Sequence, residues 1–473
     1  MRILVWFRED LRLQDHPALN EAGNRGEILP VYIHSIANRA ASAQDWFVKE
    51  HLNQLADDLA QQGLALIIKK GDPQVELATI IQHYQLDAIY FNQSHLAEEN
   101  AYDYELKRVF EQKGVKVKLF HSNMLIEPGS IATAQGDPYK VFTPFWKQMM
   151  KQEIIKPTKG PSEYKGIKSV EQTESKLLIK EEKWMGKLQP HWRIGERAAH
   201  EILEQFIKKK VLTYHDNRDF PIEDGTSSLS PYLAVGAISP RIIWARLQEY
   251  LAGAAGEKTA AIEKGSWAFL RQLAWRDFAY QQLAAHPQVS YKSMRPEFDY
   301  FDWRDDEVLF QAWREGKTGY PLVDAAMRQL WEMGWLSNRM RMVVGSFLTK
   351  HLRIDWRAGQ QWFKETLIDY DLANNTLGWQ WIAGSGFDAA PYFRIFNPTL
   401  QAEKFDPTGK FIKAWVPELK QLTPPHLFNP DQANNDELTQ ANVKLGTTYP
   451  KPIVKHKVAR EQALVAYQQI KGG

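Results

Sequence analysis

The chain has 473 residues, enough for two or three domains with large hydrophobic cores. Hydrophobic residues make up 44% and charged residues 25%, as in ordinary folded proteins, and no apolar run reaches the ~20 residues that a membrane-spanning helix needs. Cysteine is absent, which excludes disulfides and thiolate metal sites, and the N-terminus lacks the apolar stretch of a secretory signal, so a cytoplasmic location is predicted.

The net charge of +2 is unevenly distributed along the chain. Residues 1–120 hold 13 Lys and Arg against 17 Asp and Glu, and the remainder holds 46 against 40. A polyanionic partner is therefore expected to bind the later part of the chain. Of the 17 tryptophans, 14 follow residue 150, where they supply core packing and, in series, candidates for stacking or electron transfer.

The first 125 residues alternate short apolar runs with helical stretches. The runs predicted to be buried strands are Ile3–Phe7, Ile28–Ile33, Leu64–Ile68, Ala88–Phe91 and Val115–Phe120. The stretches predicted to be helices are 45–62, 73–84 and 97–113. This alternation predicts a doubly wound parallel α/β sheet, with right-handed crossovers and ligands beyond the carboxyl ends of the strands.

Beyond residue 125 the alternation of strands and helices stops. Residues 126–190 include a charged stretch with Pro and Gly, KQEIIKPTKGPSEYKGIKSVEQTESK, which is typical of a long interdomain linker. Residues 191–473 have helical periodicity and predict an all-helical domain. After Leu419 the chain is rich in Pro and Asn, and one closing helix is predicted at Lys457–Ile470.

Three short motifs are candidates for nucleotide-binding loops. The sequence GSGFDA at Gly384–Ala389 follows a helix end rather than a strand, and Gly316-Lys317-Thr318 lacks the leading glycine of a P-loop. The loop GTSSLS at Gly225–Ser230 lies between two predicted helices and is typical either of a phosphate-binding loop or of an N-cap cluster. The histidines form no HExxH pair, so no metal site is predicted.

Two predicted helices carry polar side chains on one face. In Ser266–Ala284, the apolar stripe consists of Trp267, Leu270, Ala274 and Phe278, and the other face of Gln272, Trp275, Arg276 and Ala279. The side chains of this second face could stack on a base and pair with a phosphate. The alternative is that this face is simply the solvated edge of an amphipathic helix. In Trp335–Thr349, one face consists of Asn338, Arg341, Met342 and Gly345. An arginine inside an apolar helix needs a carboxylate partner, for which Asp369 and Asp371 are candidates.

Several long motifs are similar to signature segments of the photolyase/cryptochrome family. They are VWFREDLRLQDHPAL near the N-terminus, EGKTGYPLVDAAMRQL at 315–330, the run from Trp335 to Phe347, DYDLANNTLGWQW at 369–381 and PYFRIFNP at 391–398. They occur in the family's order, and the most similar branch is the class I cyclobutane pyrimidine dimer photolyases. The resemblance implies an α/β antenna-binding domain at 1–125, a linker at 126–190 and a helical FAD- and DNA-binding domain at 191–473.

The resemblance also implies a light-driven lyase that repairs UV-damaged DNA. Reduced FAD gives an electron to a flipped-out cyclobutane pyrimidine dimer, and the dimer splits. The residues placed around FAD are Tyr214, Thr226, Ser227, Ser228, Leu229, Ser230, Asn338, Arg341, Asp369, Tyr370, Asp371 and Asn375. Arg341 is expected to pair with Asp369, and Asn375 to face flavin N5, where a neutral amide favours repair.

The same resemblance assigns the DNA contacts and an electron relay. The implied DNA-binding residues are Arg218, Gln272, Trp275, Arg276, Asn338, Arg339, Met342, Trp381 and Arg394, and the arginines at 218, 339 and 394 are expected to contact phosphates. Gln272, Asn338 and Asn375 are the implied catalytic residues. The relay that reduces the flavin from the surface consists of Trp379, Trp356 and Trp303.

Gln272 departs from the class I pattern, which has glutamate at this position. Glutamine occurs there in (6-4) photolyases, but that branch has two histidines where this chain has Asn338 and Met342. We therefore predict that Gln272 lowers repair efficiency or changes the lesion preference without abolishing dimer repair. The alternatives are a cryptochrome-type blue-light photoreceptor, a (6-4) photolyase and a dark flavoprotein that binds FAD with residues 1–125.

The antenna and the assembly state are further expectations. The antenna is either 5,10-methenyltetrahydrofolate or 8-hydroxy-5-deazaflavin, and Glu99 aligns with an acidic residue that contacts folate in class I members. Trp46 and Phe47 are candidates for stacking on a pterin, with ordinary helix packing as the alternative. The chain is expected to act as a monomer, without a membrane.

Overall fold

The computed structural model describes residues 1–35, 41–168, 183–254, 256, 258–388 and 393–471. The chain forms two compact units: the first contains residues 1–212, 227–287 and 368–371, and the second contains residues 213–226, 288–367 and 372–473. This division differs from the predicted boundaries at residues 125 and 190, which stay predictions. Part of the predicted linker, residues 169–182, and the first two residues of the motif at 391–398 lie outside the described residues.

A parallel sheet lies in the first unit. Its strands are β1 (Arg2–Phe7), β2 (Glu27–His34), β3 (Ile67–Lys70), β4 (Ala88–Asn92), β5 (Lys116–Phe120) and β6 (Lys165–Gly166). Their order is β3-β2-β1-β4-β5, with β6 on β2, and every one of these pairings is parallel. Leu4 of β1 lies opposite Leu29 and Ile89. The predicted doubly wound parallel sheet is confirmed.

Helices connect consecutive strands of this sheet. They are α1 (Pro17–Arg25), α2 (Ala43–Gln61), α3 (Pro73–Tyr84) and α4 (Ala97–Gln112). A capping box between Ser42 and Asp45 starts α2. Leu77 of α3 and Phe110 of α4 join Phe91 of β4 in one buried cluster. The helices thus cover apolar strands that would otherwise face water.

The third strand is shifted from its predicted position. The apolar run Leu64–Ile68 predicts a strand there, but β3 comprises Ile67–Lys70. Leu64 and Leu66 are buried although they precede the strand. The strand ends on lysines because β3 lies at the edge of the sheet, where charged side chains face solvent and discourage further pairing.

Two short regular elements lie within the stretch predicted to be an irregular linker. Helix α5 (Phe142–Met149) buries Phe142, Phe145 and Met149, and β6 pairs with the start of β2. Residues 126–141 and 150–164 have no helix or strand, so the linker stays a prediction, and α5 is a helix that the sequence did not predict. Periodicity missed α5 because eight residues provide only about two helical turns of pattern.

Further helices follow the residues at 169–182. They are a 3₁₀ segment at Lys183–His191, α6 (Glu196–Lys209), α7 (Val211–Asn217), α8 (Ser230–Ala234), α9 (Pro240–Ala252) and α10 (Thr259–Ala285). Helix α10 has 27 residues and contains the predicted helix Ser266–Ala284. Its predicted apolar stripe is confirmed, because Leu270, Ala274 and Phe278 are buried and Trp267 is half-buried.

The second unit is built from helices. They are α11 (Glu307–Arg314), α12 (Pro321–Met333), α13 (Asn338–Ser346), α14 (Trp356–Thr366), α15 (Leu372–Ala383), α16 (Pro398–Phe405), α17 (Lys410–Trp415), α18 (Asn435–Gln440) and α19 (His456–Lys471). Short 3₁₀ turns lie at Pro287–Ser290, Pro296–Tyr300, Pro417–Leu419, His426–Phe428 and Pro430–Gln432. Helix α19 confirms the predicted closing helix, and its Ala463 and Tyr467 pack with Phe298. The sequence did not predict α18.

Helix α13 starts later than predicted and changes its hydrogen bonding at its end. The sequence predicts a helix at Trp335–Thr349. Ser337 is the N-cap, since its Oγ accepts the backbone N–H of Met340 at 3.5 Å, so the helix starts at Asn338. After Ser346 the backbone forms a π-helical turn of six residues. Apolar periodicity does not distinguish this turn from an α-helix.

Two of the candidate nucleotide-binding motifs follow helices. Gly384 comes directly after α15, and Gly316 follows α11 with a φ of +62°. Neither position opens a Rossmann loop or a P-loop, as predicted. Among the described residues, no cluster of three or more His, Asp or Glu is placed to hold a metal ion. No described helix is both long enough and apolar enough to cross a membrane.

The segment that follows β5 is fixed by a carboxylate on α10. Asp277 is 1% exposed, and its Oδ2 accepts the backbone N–H groups of Leu125 and Ile126, each at 2.9 Å. Burial raises the pKa of Asp277 to about 7. In the unfolded chain the same carboxyl group ionises near pH 4, at about its ordinary value. Folding therefore favours the protonated form between these two pH values.

Substitution of Asp277 separates its hydrogen bonds from its charge. Asp277→Ala leaves two buried backbone N–H groups without an acceptor, and we expect it to lower the free energy of unfolding by about 2–5 kcal/mol. Asp277→Asn keeps an acceptor oxygen and does not titrate. Because the folded protein binds this proton more tightly than the unfolded chain, the wild type loses stability as the pH rises from 3.8 to about 7.

Chemical denaturation at several pH values measures both effects. Relative to the wild type, the Asp277→Asn variant should gain up to about 1.4 kcal/mol of unfolding free energy per pH unit between about pH 4.5 and about pH 6.5. A constant difference over that range would contradict the raised pKa. Unchanged stability of the Asp277→Ala variant would contradict the hydrogen-bonding role.

Candidate functional site

The polar face predicted on α10 carries an indole that is already stacked on one side. The ring of Trp275 lies parallel to that of Phe142, with centroids 3.8 Å apart and planes at 8°. Trp275 is half-buried. One face of its indole is thus covered by a ring of α5, and stacking on a base would use the other face. Phe142 was not predicted, because its helix lies in the region without visible periodicity.

Gln272 lies one turn before Trp275 on the same helix. Its Nε2 donates to the backbone carbonyl of Ala268 at 3.2 Å. This bond fixes the orientation of the amide, so Oε1 is the atom that remains to accept a hydrogen bond. A glutamate at this position could not donate to Ala268, which is a chemical difference between this chain and the class I pattern.

Arg276 is engaged with groups of its own unit. Its Nη1 donates to the backbone carbonyl of Asn123 at 2.6 Å, and its guanidinium lies 5.1 Å from the ring centroid of Tyr280. Part of its hydrogen-bonding capacity is therefore used inside the protein. Its predicted contact with DNA stays a prediction, with fewer free N–H groups than the sequence suggested.

The segment Ile368–Asp371 is held within the first unit by two side chains. The hydroxyl of Tyr280 donates to Asp371 Oδ2 at 2.8 Å, and Gln44 Nε2 of α2 donates to the carbonyl of Tyr370 at 2.6 Å. Tyr280 was not among the predicted site residues. Its spacing was a usable signal, because residues four and eight positions after Gln272 lie near the same helix face.

The loop Ser227–Ser230 has the backbone form of an anion-binding turn. Ser228 has a φ of +55°, and Leu229 is right-handed with a φ of −89°. Successive residues of opposite hand direct their N–H groups to one side, which suits a phosphate. In this structure the Leu229 N–H donates to Ser227 Oγ at 3.3 Å. Ser230 begins α8, so the prediction that this loop opens a helix is confirmed. Phosphate binding stays a prediction, and so does the role of Tyr214, whose ring lies 5.7 Å from the Arg218 guanidinium.

In the second unit, two of the predicted lesion contacts touch each other on α13. Asn338 Nδ2 lies 3.7 Å from Met342 Sδ, and Asn338 is exposed while Met342 is half-buried. Arg341 Nε donates to the carbonyl of Leu336 at 2.9 Å. Arg339 forms an ion pair with Asp219, its Nη2 being 2.8 Å from Oδ2, so its charge is largely balanced within the unit.

The orientation of the Asn375 amide is set by α14. Asn375 Nδ2 donates to the carbonyl of Gln360 at 3.1 Å, and Gln360 Nε2 donates to Thr376 Oγ1 at 2.9 Å. With the NH₂ group used in this way, Asn375 Oδ1 is the atom left to accept a hydrogen bond. The half-buried amide is thus an acceptor of fixed orientation without a net charge.

The predicted relay tryptophans run from the interior towards the surface. Trp379 and Trp356 are 1% and 0% exposed, and Trp303 is half-buried. The ring of Trp379 packs against Gly359, one turn after Trp356, so closely that a Cβ at Gly359 would collide with it. Residue 304, next to Trp303, pairs with residue 354 in an isolated bridge. These contacts put the three indoles in one part of the second unit.

The indole N–H groups of these three tryptophans are buried. Within the described residues, none of them has a hydrogen-bond acceptor. Charge hopping between the three indoles stays a prediction.

Of the three residues proposed to contact an antenna, one is exposed and two are buried. The exposed Glu99 accepts a hydrogen bond from Ser94 Oγ at 2.7 Å. Trp46 and Phe47 are 5% and 0% exposed, and Phe47 packs edge-on against Tyr232 with centroids 5.6 Å apart. These two rings are core residues, so stacking of Phe47 on a pterin is not supported and the packing alternative holds. The role of Glu99 stays a prediction.

Comparisons with known proteins agree with this organisation. The DNA photolyase domain matches residues 3–162, and the FAD binding domain of DNA photolyase matches residues 269–469. A deoxyribodipyrimidine photo-lyase of Agrobacterium fabrum is 40% identical over 99% of this chain and 98% of its own length. One from Escherichia coli is 37% identical over 99% of each chain. A solved class III photolyase of Agrobacterium tumefaciens has a TM-score of 0.94 at 40% identity, covering 100% of this chain and 98% of its own.

A parallel α/β domain followed by a helical FAD-binding domain defines a photolyase-type flavoprotein. The chain belongs to the DNA photolyase family, whose enzymes act on UV-damaged DNA, and FAD is its cofactor. The predicted family is therefore confirmed. The solved neighbour is a class III enzyme, so the class I branch named from the motifs stays a prediction.

Gln272→Glu tests whether the neutral amide limits the site. A carboxylate accepts hydrogen bonds more strongly than an amide by about 1 kcal/mol, so we expect a roughly fivefold gain in affinity for a dimer or in repair efficiency. Binding to a duplex with one dimer, and repair per absorbed photon, measure the two effects. Gln272→Leu, which keeps the size but removes both polar groups, should have the opposite effect. Identical repair rates for all three proteins would defeat the prediction.

Trp379→Phe tests the relay. We expect it to slow the photoreduction of bound FAD roughly tenfold or more, a rise of about 1.4 kcal/mol in activation free energy, because phenylalanine is much harder to oxidise. Enzyme reduced chemically beforehand should repair as the wild type does.

Trp415→Phe is the matched control, since Trp415 is a half-buried tryptophan on α17 in the same unit. Photoreduction followed by flavin absorbance should be normal in this control. Normal photoreduction in the Trp379→Phe protein as well would rule out Trp379 as the first donor.

Proposed function

We propose that this chain splits cyclobutane pyrimidine dimers in UV-damaged DNA, using light and reduced FAD. When bound and excited by light, reduced FAD supplies the electron that opens the cyclobutane ring. The observation that carries the proposal is the orientation of Asn375. Its Nδ2 is held by the Gln360 carbonyl within the matched FAD-binding domain, which leaves Oδ1 to accept N5–H of the reduced flavin.

The neutrality of this acceptor matters as much as its orientation. A carboxylate beside N5 would add negative charge next to a ring that must itself be anionic to donate an electron, and like charges in a buried site disfavour each other. An amide accepts the hydrogen bond without that repulsion. Asn375 therefore favours repair over a cryptochrome-type photoreceptor.

The rest of the flavin is proposed to rest on backbone amides and a few polar side chains. The turn at Ser228 and Leu229 is proposed to bind the phosphates, and the Leu229 N–H, which donates to Ser227 Oγ at 3.3 Å, would exchange that partner for a phosphate oxygen. The other proposed FAD contacts are Tyr214, Thr226, Ser227, Ser230, Asn338, Arg341, Asp369, Tyr370 and Asp371. Arg341 is proposed to pair with Asp369.

The dimer is proposed to bind by stacking and by neutral hydrogen bonds. Trp275 offers one indole face, and Phe142 rigidifies the ring from the other side. Gln272 offers Oε1 as a hydrogen-bond acceptor. On α13, Met342 offers an apolar surface and the neighbouring Asn338 a polar amide. The remaining proposed DNA contacts are Arg218, Arg276, Arg339, Trp381 and Arg394. A dimer is already distorted, so flipping it out of the helix costs less than flipping an intact base.

Several finer points belong to the same proposal. The antenna is a folate or a deazaflavin, with Glu99 as a contact in the folate case. The protein works as a monomer in the cytoplasm. The (6-4) activity is disfavoured, because Asn338 and Met342 occupy the positions of the histidines that would move the proton.

The decisive experiment is a repair assay with the holoprotein. Protein whose FAD is verified by absorbance to be fully reduced is mixed with a duplex that carries one cyclobutane thymine dimer, and is then illuminated with blue light. Chromatography should show loss of the dimer in the light and none in the dark. An intact dimer under these conditions contradicts the proposal.

Two variants connect the assay to the site. Asn375→Asp is expected to lower repair per absorbed photon by roughly tenfold, equivalent to about 1.4 kcal/mol, and to change the flavin spectrum. Asn374→Asp adds the same charge one residue earlier on α15 and should have a smaller effect. A duplex with a (6-4) lesion is run in parallel, and its repair in place of the dimer would favour the (6-4) alternative.

A further inference from the structure

The face of α13 that carries the proposed lesion contacts continues beyond them. Asn338, Met342 and Ser346 are spaced four residues apart, so they lie along one side of the helix. The π-helical turn Phe347–Leu352 follows directly and contains Lys350. Such turns are often found at functional sites.

Ser346 and Lys350 both hold the same irregular segment. Ser346 Oγ accepts the backbone N–H of Phe396 at 3.3 Å, and Lys350 Nζ donates to the backbone carbonyl of Arg394 at 2.7 Å. Residues 393–397 have no helix or strand hydrogen bonds of their own. Asn397 then caps α16 by accepting the N–H of Thr399 at 3.0 Å. The segment is thus tied to α13 at one end and to α16 at the other.

Lys350 is an unusual residue to find in this role. It is 4% exposed, its hydrogen bond goes to a main-chain carbonyl, and its Nζ lies 4.8 Å from the ring centroid of Phe393. Burial of an ammonium group is costly and does not by itself stabilise a fold. Burial, together with the charge of Arg394, lowers the pKa of Lys350 to about 7. A neutral amine still donates to a carbonyl, so the contact persists on both sides of that pH.

These two hydrogen bonds fix the backbone of residues 394–396, and the side chain of Arg394 is exposed. We propose that Ser346 and Lys350 are positioning residues for DNA binding, because they fix the backbone of residues 394–396 on the helix that carries Asn338 and Met342 and so place the Arg394 guanidinium for a DNA phosphate. This inference rests on the proposed function. Fixing the segment in advance removes an ordering cost from binding.

The salt dependence of binding tests this role, because it reports phosphate contacts rather than stability. Each phosphate contact contributes about 0.9 to the slope of log Kd against log salt. Arg394→Gln should lower that slope by about one contact and weaken binding about fivefold. Lys350→Met should also lower both the salt slope and the affinity for DNA. In the double variant, both substitutions remove the same phosphate contact. It should therefore bind DNA no more than about twofold more weakly than Arg394→Gln alone.

Ser346→Ala separates positioning from charge. It removes the acceptor for the Phe396 N–H but changes no charge, so a reduced slope in this variant cannot come from a lost long-range attraction. Flavin absorbance and thermal unfolding verify that each variant is folded and holds FAD. For Ser346→Ala, repair per absorbed photon at saturating DNA should stay at the wild-type value, because this change affects binding and not the electron step.

The outcomes distinguish this inference from the proposed function. If wild-type protein neither prefers dimer-containing DNA nor repairs it, the proposed function fails. If the wild type repairs dimers but Lys350→Met and Ser346→Ala keep the wild-type salt slope, the positioning role is overturned. Additive losses in the double variant also overturn it, because they would mean that Lys350 and Arg394 act independently. Should Lys350→Met fail to fold, Ser346→Ala alone decides.

Discussion

The arrangement of the first unit around α10 depends on one buried carboxylate. Asp277 accepts two consecutive backbone N–H groups just after β5, and so seats the start of the following segment against the helix. Once this backbone is fixed, the carbonyl of Asn123 is in place for Arg276, and α5 brings Phe142 onto Trp275. A segment whose sequence looks like a linker thereby becomes part of the wall behind the proposed lesion contacts.

In the second unit, neighbouring elements supply the rigidity that side chains on α13, α14 and α15 need. Gln360 fixes the amide of Asn375, and Gly359 lets the Trp379 ring approach the backbone of α14. Ser346 and Lys350 do the same for the segment that carries Arg394. In each case a group with a proposed chemical role is oriented by a hydrogen bond or a close contact from the next element, so less disorder has to be removed when a ligand binds.

Neutral amides recur where related chemistry could have used carboxylates. Asn375 and Gln272 each donate an N–H to a backbone carbonyl, which orients the amide and its uncharged oxygen. Electron transfer from an anionic flavin to a neutral lesion needs little acid or base, and negative charge at position 375 would work against the reduced anionic flavin. At position 272, which is a proposed lesion contact, a carboxylate would instead strengthen binding of the dimer. The pattern is consistent with a repair enzyme that relies on its cofactor for reactivity and on the protein for position.

The sequence by itself determined the parallel sheet, the helical C-terminal part, the polar face of α10 and the family, because apolar periodicity and long motifs are local properties. It misplaced β3 and the start of α13 by a few residues and missed α5, whose eight residues carry too little pattern. Only the tertiary structure decided what the site residues touch. The stacking of Phe142 on Trp275 and the Lys350 contact with the Arg394 carbonyl join residues more than 40 positions apart, and no local pattern encodes such pairings.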